Sequence, residues 1–156
     1  MEVAIRKAEP RDIPRIMDLL LQVHEVHVEG RPDLFKAGTT KYSSSEVEEI
    51  IADPERPIFV GEHNGIVQGY AFCLFQRHDD WKSPKFTTLY IDDLCVDEKS
   101  RGMHVGRALY EYVLKFAKES GCYNVTLNVW ACNESAMKFY EKCGLSVQKI
   151  GMEKIL

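Results

Sequence analysis

Hydrophobic residues recur along this chain at two spacings, and each switch from one spacing to the other marks the edge of an element. Ile13, Ile16, Met17, Leu20 and His24 fall at helical spacing, which predicts a helix that buries one stripe. Asp12 stands where it could cap that helix, and Pro14 lies in the first turn, where a missing N–H costs nothing. A second helix is predicted over Ser45 to Ala52, ended by Asp53-Pro54. A third runs from Val105 to Ser120, with Ala108, Leu109, Tyr112, Val113 and Phe116 on one face and Gly121 as a left-handed cap. The fourth, Glu134 to Cys143, is bracketed by Asn133 at its start and Gly144 at its end.

Between these helices the pattern turns β-rich. Val3 to Arg6 reads as a first strand, and "IFVGEHNGIVQGYAFCLFQ" as a hairpin about Asn64-Gly65, a pair suited to a type I′ turn. Its aromatics Tyr70, Phe72 and Phe75 read as core. Thr87 to Val96 and Asn124 to Val129 are further strands, and Ser146 to Ile155 closes the chain in one or two short ones. "EGRPDLFKAGTTKYSSS" and the segment from Arg77 to Phe86 are polar loops. The order β-α-α-β-β-β-α-β-α-β, without repeats, predicts one α/β domain over residues 1–156, antiparallel at the front. The unit from Thr87 to Val129 should form a parallel pair with a right-handed crossover.

Composition narrows the function. A chain of 156 residues can bury about two-thirds of its unfolded surface in one core. The longest apolar run, Tyr70 to Phe75, is far too short to span a membrane. The charged, strand-like stretch from Met1 to Pro10 is unlike a signal peptide, so the expected location is the cytoplasm. Five cysteines, Cys73, Cys95, Cys122, Cys132 and Cys143, include no C-x-x-C pair and suggest reduced thiols rather than a disulfide framework or zinc site. A net charge of −4 argues against nucleic acid, which calls for a basic face. That charge is uneven. Residues 1–100 hold 12 Lys+Arg against 19 Asp+Glu, and residues 101–156 hold 8 against 5. Such a division suits a cationic substrate facing an anionic cofactor, and equally a merely uneven solvated surface.

"RGMHVGRALY", residues 101–110, sets two glycines between a predicted strand and a predicted helix. A strand running into a loop and then a helix aims unpaired N–H groups at one point, where the helix dipole favours an anion. Arg101 adds a cation that can fork onto a phosphate. There is no Gly-Lys-Ser/Thr ending for a nucleoside triphosphate and no G-x-G-x-x-G for a dinucleotide.

"YIDDLCVDEKSRGMHVGRAL" and "NVWACNESAMKFYEKCGL" together resemble the GNAT superfamily of acyl-CoA-dependent N-acyltransferases. That family's loop reads Gln/Arg-x-x-Gly-x-Gly/Ala, and its later signature is matched here by Asn133, Ala136, Phe139-Tyr140 and Gly144-Leu145. The resemblance covers essentially the whole chain. It implies a mixed central sheet flanked by helices, with a splayed parallel pair at the cofactor site, and acetyl-CoA as acyl donor. Its pyrophosphate would sit on Arg101, Gly102, Met103, His104, Val105, Gly106 and Arg107. His104 departs from the family, standing where glycine is usual.

The resemblance also implies roles. The thioester would lie against the open backbone of Leu94, Cys95 and Val96, one of whose N–H groups could stabilise the developing oxyanion. Tyr140 takes the position that protonates the leaving thiolate, while Asn133, Ala136 and Phe139 flank the cofactor arm. Many relatives carry a glutamate where this chain has Asn128, which cannot act as a base. That leaves Asp92, Asp93 or a water chain to deprotonate the amine; strand alternation should let only one carboxylate reach the cleft, with Asp92 favoured.

His24 and His27 share a helix face and, with Arg31, Asp33 and Phe35, lie where the family shapes its acceptor pocket. Packing, loop anchoring and substrate contact are all open to them. No third histidine is near in sequence, so no metal is expected. A small-molecule amine is the expected acceptor, most simply a cationic one; a protein N-terminus or lysine, or a non-catalytic coenzyme A-binding module, are the alternatives. Dimers are common among such enzymes, which leaves room for a homodimer.

Overall fold

The computed structural model describes residues 2–156, with Met1 outside the described residues. A five-stranded sheet is crossed in chain order by β1 (Ala4–Lys7), β2 (Ile58–His63), β3 (Ile66–His78), β4 (Phe86–Val96) and β5 (Asn124–Leu127). The first three junctions are antiparallel and the last, β4 to β5, is parallel. Asn64 and Gly65 at the β2–β3 turn have φ of 52° and 77°, the two positive values that a type I′ turn requires.

Four helices cover the two faces. On one, Ile16, Leu19 and Leu20 of α1 (Ile13–Gly30) and Val47 and Ile50 of α2 (Ser44–Ile51) pack on Val60, Tyr70 and Phe72. On the other, Val105, Leu109, Val113 and Ala117 of α3 (Val105–Glu119) pack on Phe59, Ala71, Leu89 and Ile91. Each such side chain taken from water contributes about 1.5–3 kcal/mol. Cys143 and Leu145, at the end of α4 (Glu134–Lys142), join this second cluster.

Three expectations are corrected. Asp12 precedes α1 but makes no cap; its carboxylate is taken by both terminal nitrogens of Arg6, at 2.8 and 2.9 Å, and by the Glu9 amide. A forked charged partner outcompetes a single helix N–H. On α3, Tyr110 rather than Tyr112 is buried; Tyr112 lies at the edge against Phe59, ring centres 5.1 Å apart. The stretch from Ser146 to Ile155 forms no strand: residues 146–156 are irregular and exposed, pairing with no ladder of the sheet. Among the described residues no helix is long and apolar enough to cross a membrane.

Candidate active site

The parallel pairing stops early. β4 and β5 are in register from Thr88 opposite Asn124 to Ile91 opposite Leu127, and β4 then runs on to Val96 paired only with β3. The strands therefore part after Ile91. The Asp97 amide donates to Gln68 O of β3 at 2.7 Å. By the alternation of a strand, the Val96 and Leu94 amides turn the other way, toward the gap left by β5. Cys95, between them, faces α1, its thiol donating to Leu19 O at 3.5 Å. Burial pushes that thiol up to about 12, so it stays uncharged at neutral pH.

A bulge sets the carboxylates. Phe72 pairs with Asp93 but Cys73 pairs with Ile91, so Asp92 is an extra residue in β4. This overrides simple alternation: both aspartates reach the α1–α2 face. Asp92 accepts from the Tyr42 hydroxyl at 2.5 Å and from Lys41 Nζ at 3.0 Å. Asp93 accepts from the Tyr70 hydroxyl at 2.8 Å. Burial lifts the Asp93 carboxyl to about 6 against the opposing pull of the Tyr70 hydrogen bond and Lys41.

After β4 the chain is pinned before it enters the glycine loop. Asp97 caps a short 3-10 turn through the Lys99 amide at 2.9 Å and pairs with Arg15 of α1; that partner holds its carboxyl below the usual range. Ser100 donates to Gln68 Oε1 at 2.5 Å. The following amides of Gly102, His104, Val105, Gly106 and Arg107 meet no protein acceptor among the described residues. They gather at the start of α3, as an anion cradle requires. Gly102 has φ +87°, and His104 sits at φ 61°, ψ 18°, in the left-handed region that glycine occupies freely. A Cβ on Gly106 would meet Phe139 Cζ at 3.3 Å and Val96 Cγ2 at 3.4 Å. Arg101 is exposed beside the cradle, Met103 packs inward, and Arg107 turns to Glu111 at 2.9 Å.

α4 brings the remaining signature residues to the same end of the sheet. Asn133 caps it by accepting from the Ala136 amide at 3.2 Å. Phe139 lies against Gly106, with the Tyr140 ring 5.1 Å from it. Burial, and then the charge of Asp93, raises the Tyr140 phenol, which stays protonated at neutral pH and can serve as a donor. Asn128, just past β5, donates instead to the Tyr90 hydroxyl at 3.2 Å.

The loop after α1 is tied back to that helix. His24 Nε2 donates to Lys36 O at 2.7 Å and lies 3.1 Å from Thr39 Oγ1, anchoring that loop. His27, whose basicity burial lowers, packs on Phe35 with ring centres 5.0 Å apart. Phe35 also meets Trp130 edge-on at 5.4 Å. Arg31 forks onto Asp33 at 3.0 and 2.9 Å and pairs with Glu153. Three residues escaped the sequence reading: Lys41, Tyr42 and Trp130 approach from distant segments, and no local spacing announces them. No group of three or more His, Cys, Asp or Glu residues placed to hold a metal is found among the described residues.

A splayed β4–β5 pair, a cradle of free amides and a protonated tyrosine beside Phe139 are the parts that acyl transfer from a phosphorylated thioester calls for. The model of the acetyltransferase (GNAT) family matches residues 20–145. The chain belongs to the GNAT family. It is an acetyltransferase, of a family that uses acetyl-CoA generally. A thialysine N-epsilon-acetyltransferase from Bos taurus is 27% identical over 150 residues, 91% of this chain and 83% of that enzyme. A glucosamine 6-phosphate N-acetyltransferase from Arabidopsis thaliana is 38% identical over 65 residues. That match spans only 42% of either chain's length. The X-ray structure of a tetramutant of the BH1408 protein from Bacillus halodurans superposes with a TM-score of 0.94 at 29% identity, covering 98% of this GNAT chain and 99% of that one.

Proposed function

We propose that this GNAT enzyme moves the acetyl group of acetyl-CoA to a primary amine on a small cationic molecule, by direct attack in a ternary complex. The observation that carries the reading is the bulge in β4, which sets Asp92 and Asp93 on one face beside the strand's open edge. The bovine relative is named for thialysine, a basic amino acid, and it aligns along most of the chain.

The residues fit the donor. The free amides of Gly102 and of His104 to Arg107 would hold its pyrophosphate, with Arg101 beside them. The open backbone of Leu94 to Val96 would hold the thioester, and Asn133, Ala136 and Phe139 would flank the pantetheine arm. Bound there, the donor supplies an acyl carbon activated by a good leaving group. The Leu94 or Val96 amide donates to the acyl oxygen as negative charge grows on it, an effect of about 100- to 1,000-fold in rate when one such donor is removed. Tyr140 gives its proton to the departing sulfur. Asp93, ionised above about 6, takes the amine's proton directly or through water. Asp92 attracts the acceptor's second positive charge, and His27, Arg31 and Phe35 line the approach over a loop anchored by His24.

A screen of amines with acetyl-CoA, reading released thiol, tests this. Diamines, basic amino acids and aminoglycoside-like amines should be turned over best. Preference for neutral or acidic amines, or for protein N-termini, would replace the reading.

A further inference from the structure

Asp92 is not free to meet an acceptor. Its Oδ2 takes the Tyr42 hydroxyl at 2.5 Å, and its Oδ1 takes Lys41 Nζ at 3.0 Å, the same ammonium lying 3.2 Å from the Asp92 carbonyl oxygen. The two partners differ in how firmly they are held. Tyr42 is stacked on buried Phe72, ring centres 5.4 Å apart and 13° from parallel. Lys41 has 42% of its side chain exposed and a flexible four-carbon stem, so its ammonium can leave without moving the loop. Two other carboxylates at this side of the fold are bound differently. Asp12 and Asp97 are 6% and 7% exposed and are paired with arginines, which match a carboxylate with a rigid fork.

We propose that Lys41 is an internal stand-in for the acceptor's cation, occupying Asp92 until a dicationic amine displaces it. This rests on the cationic-acceptor reading given above. The lysine keeps the carboxylate oriented in the resting enzyme. It also sets a threshold, because an incoming molecule must offer a positive charge that competes with an ammonium already in place. An amine without a second charge gains nothing at Asp92 and is indifferent to Lys41. The apparent affinity of a dication is its intrinsic affinity reduced by the fraction of time Asp92 is vacant. Were Lys41 in place for about four-fifths of the time, removing it would strengthen dication binding about 5-fold.

The test is steady-state kinetics at alkaline pH, where Asp93 is ionised with or without Lys41, using acetyl-CoA and two probes, 1,4-diaminobutane and propylamine, on the wild type, Lys41→Met, Lys41→Arg and Asp92→Asn. The expected result is a KM for diaminobutane about 5-fold lower in Lys41→Met, with propylamine changed less than 2-fold. Lys41→Arg keeps a cation on Asp92 and should leave the diaminobutane KM at or above the wild-type value. If the wild type and Asp92→Asn differ on diaminobutane but both Lys41 variants match the wild type, the stand-in is overturned and the cationic-acceptor reading survives. If Lys41→Met loses activity equally on both probes, Lys41 is a structural tie and the proposal falls. If Asp92→Asn and the Lys41 variants all treat both amines as the wild type does, the acidic subsite itself is wrong, and both readings fall together.

Discussion

The hydroxyl of Tyr70, on a ring with no exposed surface, donates to Asp93 Oδ2 at 2.8 Å. Burial and the neighbouring Asp93 push this phenol far above its ordinary range, so it is always the donor. It supports the ionised carboxylate while burial opposes it, and the balance leaves Asp93 at about 6. The sign for stability follows. A carboxyl raised above its unfolded value binds its proton more tightly in the folded state, so Asp93 favours folding at low pH. That contribution is lost as pH rises from about 4 to 6. Activity runs the opposite way: kcat/KM should climb through pH about 6 as Asp93 ionises, and again at alkaline pH as the acceptor loses its proton. Tyr70→Phe should move the lower limb to higher pH, and Asp93→Asn should abolish it with a loss of about 100-fold in turnover. A pH–rate profile in which Asp93→Asn keeps that limb would place the base elsewhere.

Tyr140→Phe keeps the ring against Phe139 and removes only the proton. The melting temperature and the calorimetric affinity for acetyl-CoA should hold, while turnover drops by about 100-fold. Turnover within about 3-fold of wild type would mean that the sulfur is protonated by another group.

His104 carries a side chain in a conformation that costs an ordinary residue about 1–2 kcal/mol. His104→Gly removes that cost but frees the unfolded chain, so the net gain should be near 1 kcal/mol, or about 2–4 °C in Tm. Coenzyme A affinity should change little, because the amide remains. His104→Ala should give no such gain. A thermal melt of the two variants decides the matter, and a His104→Gly protein less stable than wild type would show that the imidazole holds the loop.

Gly106 is the contact point of the cradle, β4 and α4. In Gly106→Val the new side chain meets Phe139 and Val96, and repacking should cost about 1–3 kcal/mol. Affinity for coenzyme A should fall sharply in the protein that remains folded. Gly106→Ala adds only the Cβ at 3.3 Å and should be much milder. Equal calorimetric affinities for the wild type and the valine variant would remove the 101–107 loop from the donor site.

Local chemistry was legible from the residues alone. The Asn64-Gly65 turn, the left-handed caps at Gly121 and Gly144, the Asn133 cap and the strand–loop–helix at 96–106 each depend on neighbours within a few positions. What was not legible depends on pairing at a distance. The bulge at Asp92 is a mismatch between two strands, invisible in either one. The capture of Asp92 by Lys41 and Tyr42 joins segments 51 and 50 residues apart, and that of Asp12 by Arg6 sets a strand residue against the turn that leads into α1. At the chain's end, Val147, Ile150, Met152 and Ile155 suggest strands, yet a strand needs a ladder partner, and residues 146–156 pair with no strand of the sheet.

The single extra residue in β4 also divides the site by the kind of mutation that can alter it. On the proposed reading, upstream chemistry is written in side chains, at Asp92 and Asp93, where one codon change would rewrite which amines are welcome. Downstream chemistry is written in main chain, at Leu94 and Val96, where no substitution short of proline deletes an amide. A lineage descending from this chain can therefore drift among acceptors while keeping its donor. Loss of the Asp92 codon keeps that division. Ile91 would still lie opposite Cys73 and Asp93 opposite Phe72, so every later residue keeps its face and its amide, and only one carboxylate leaves the site.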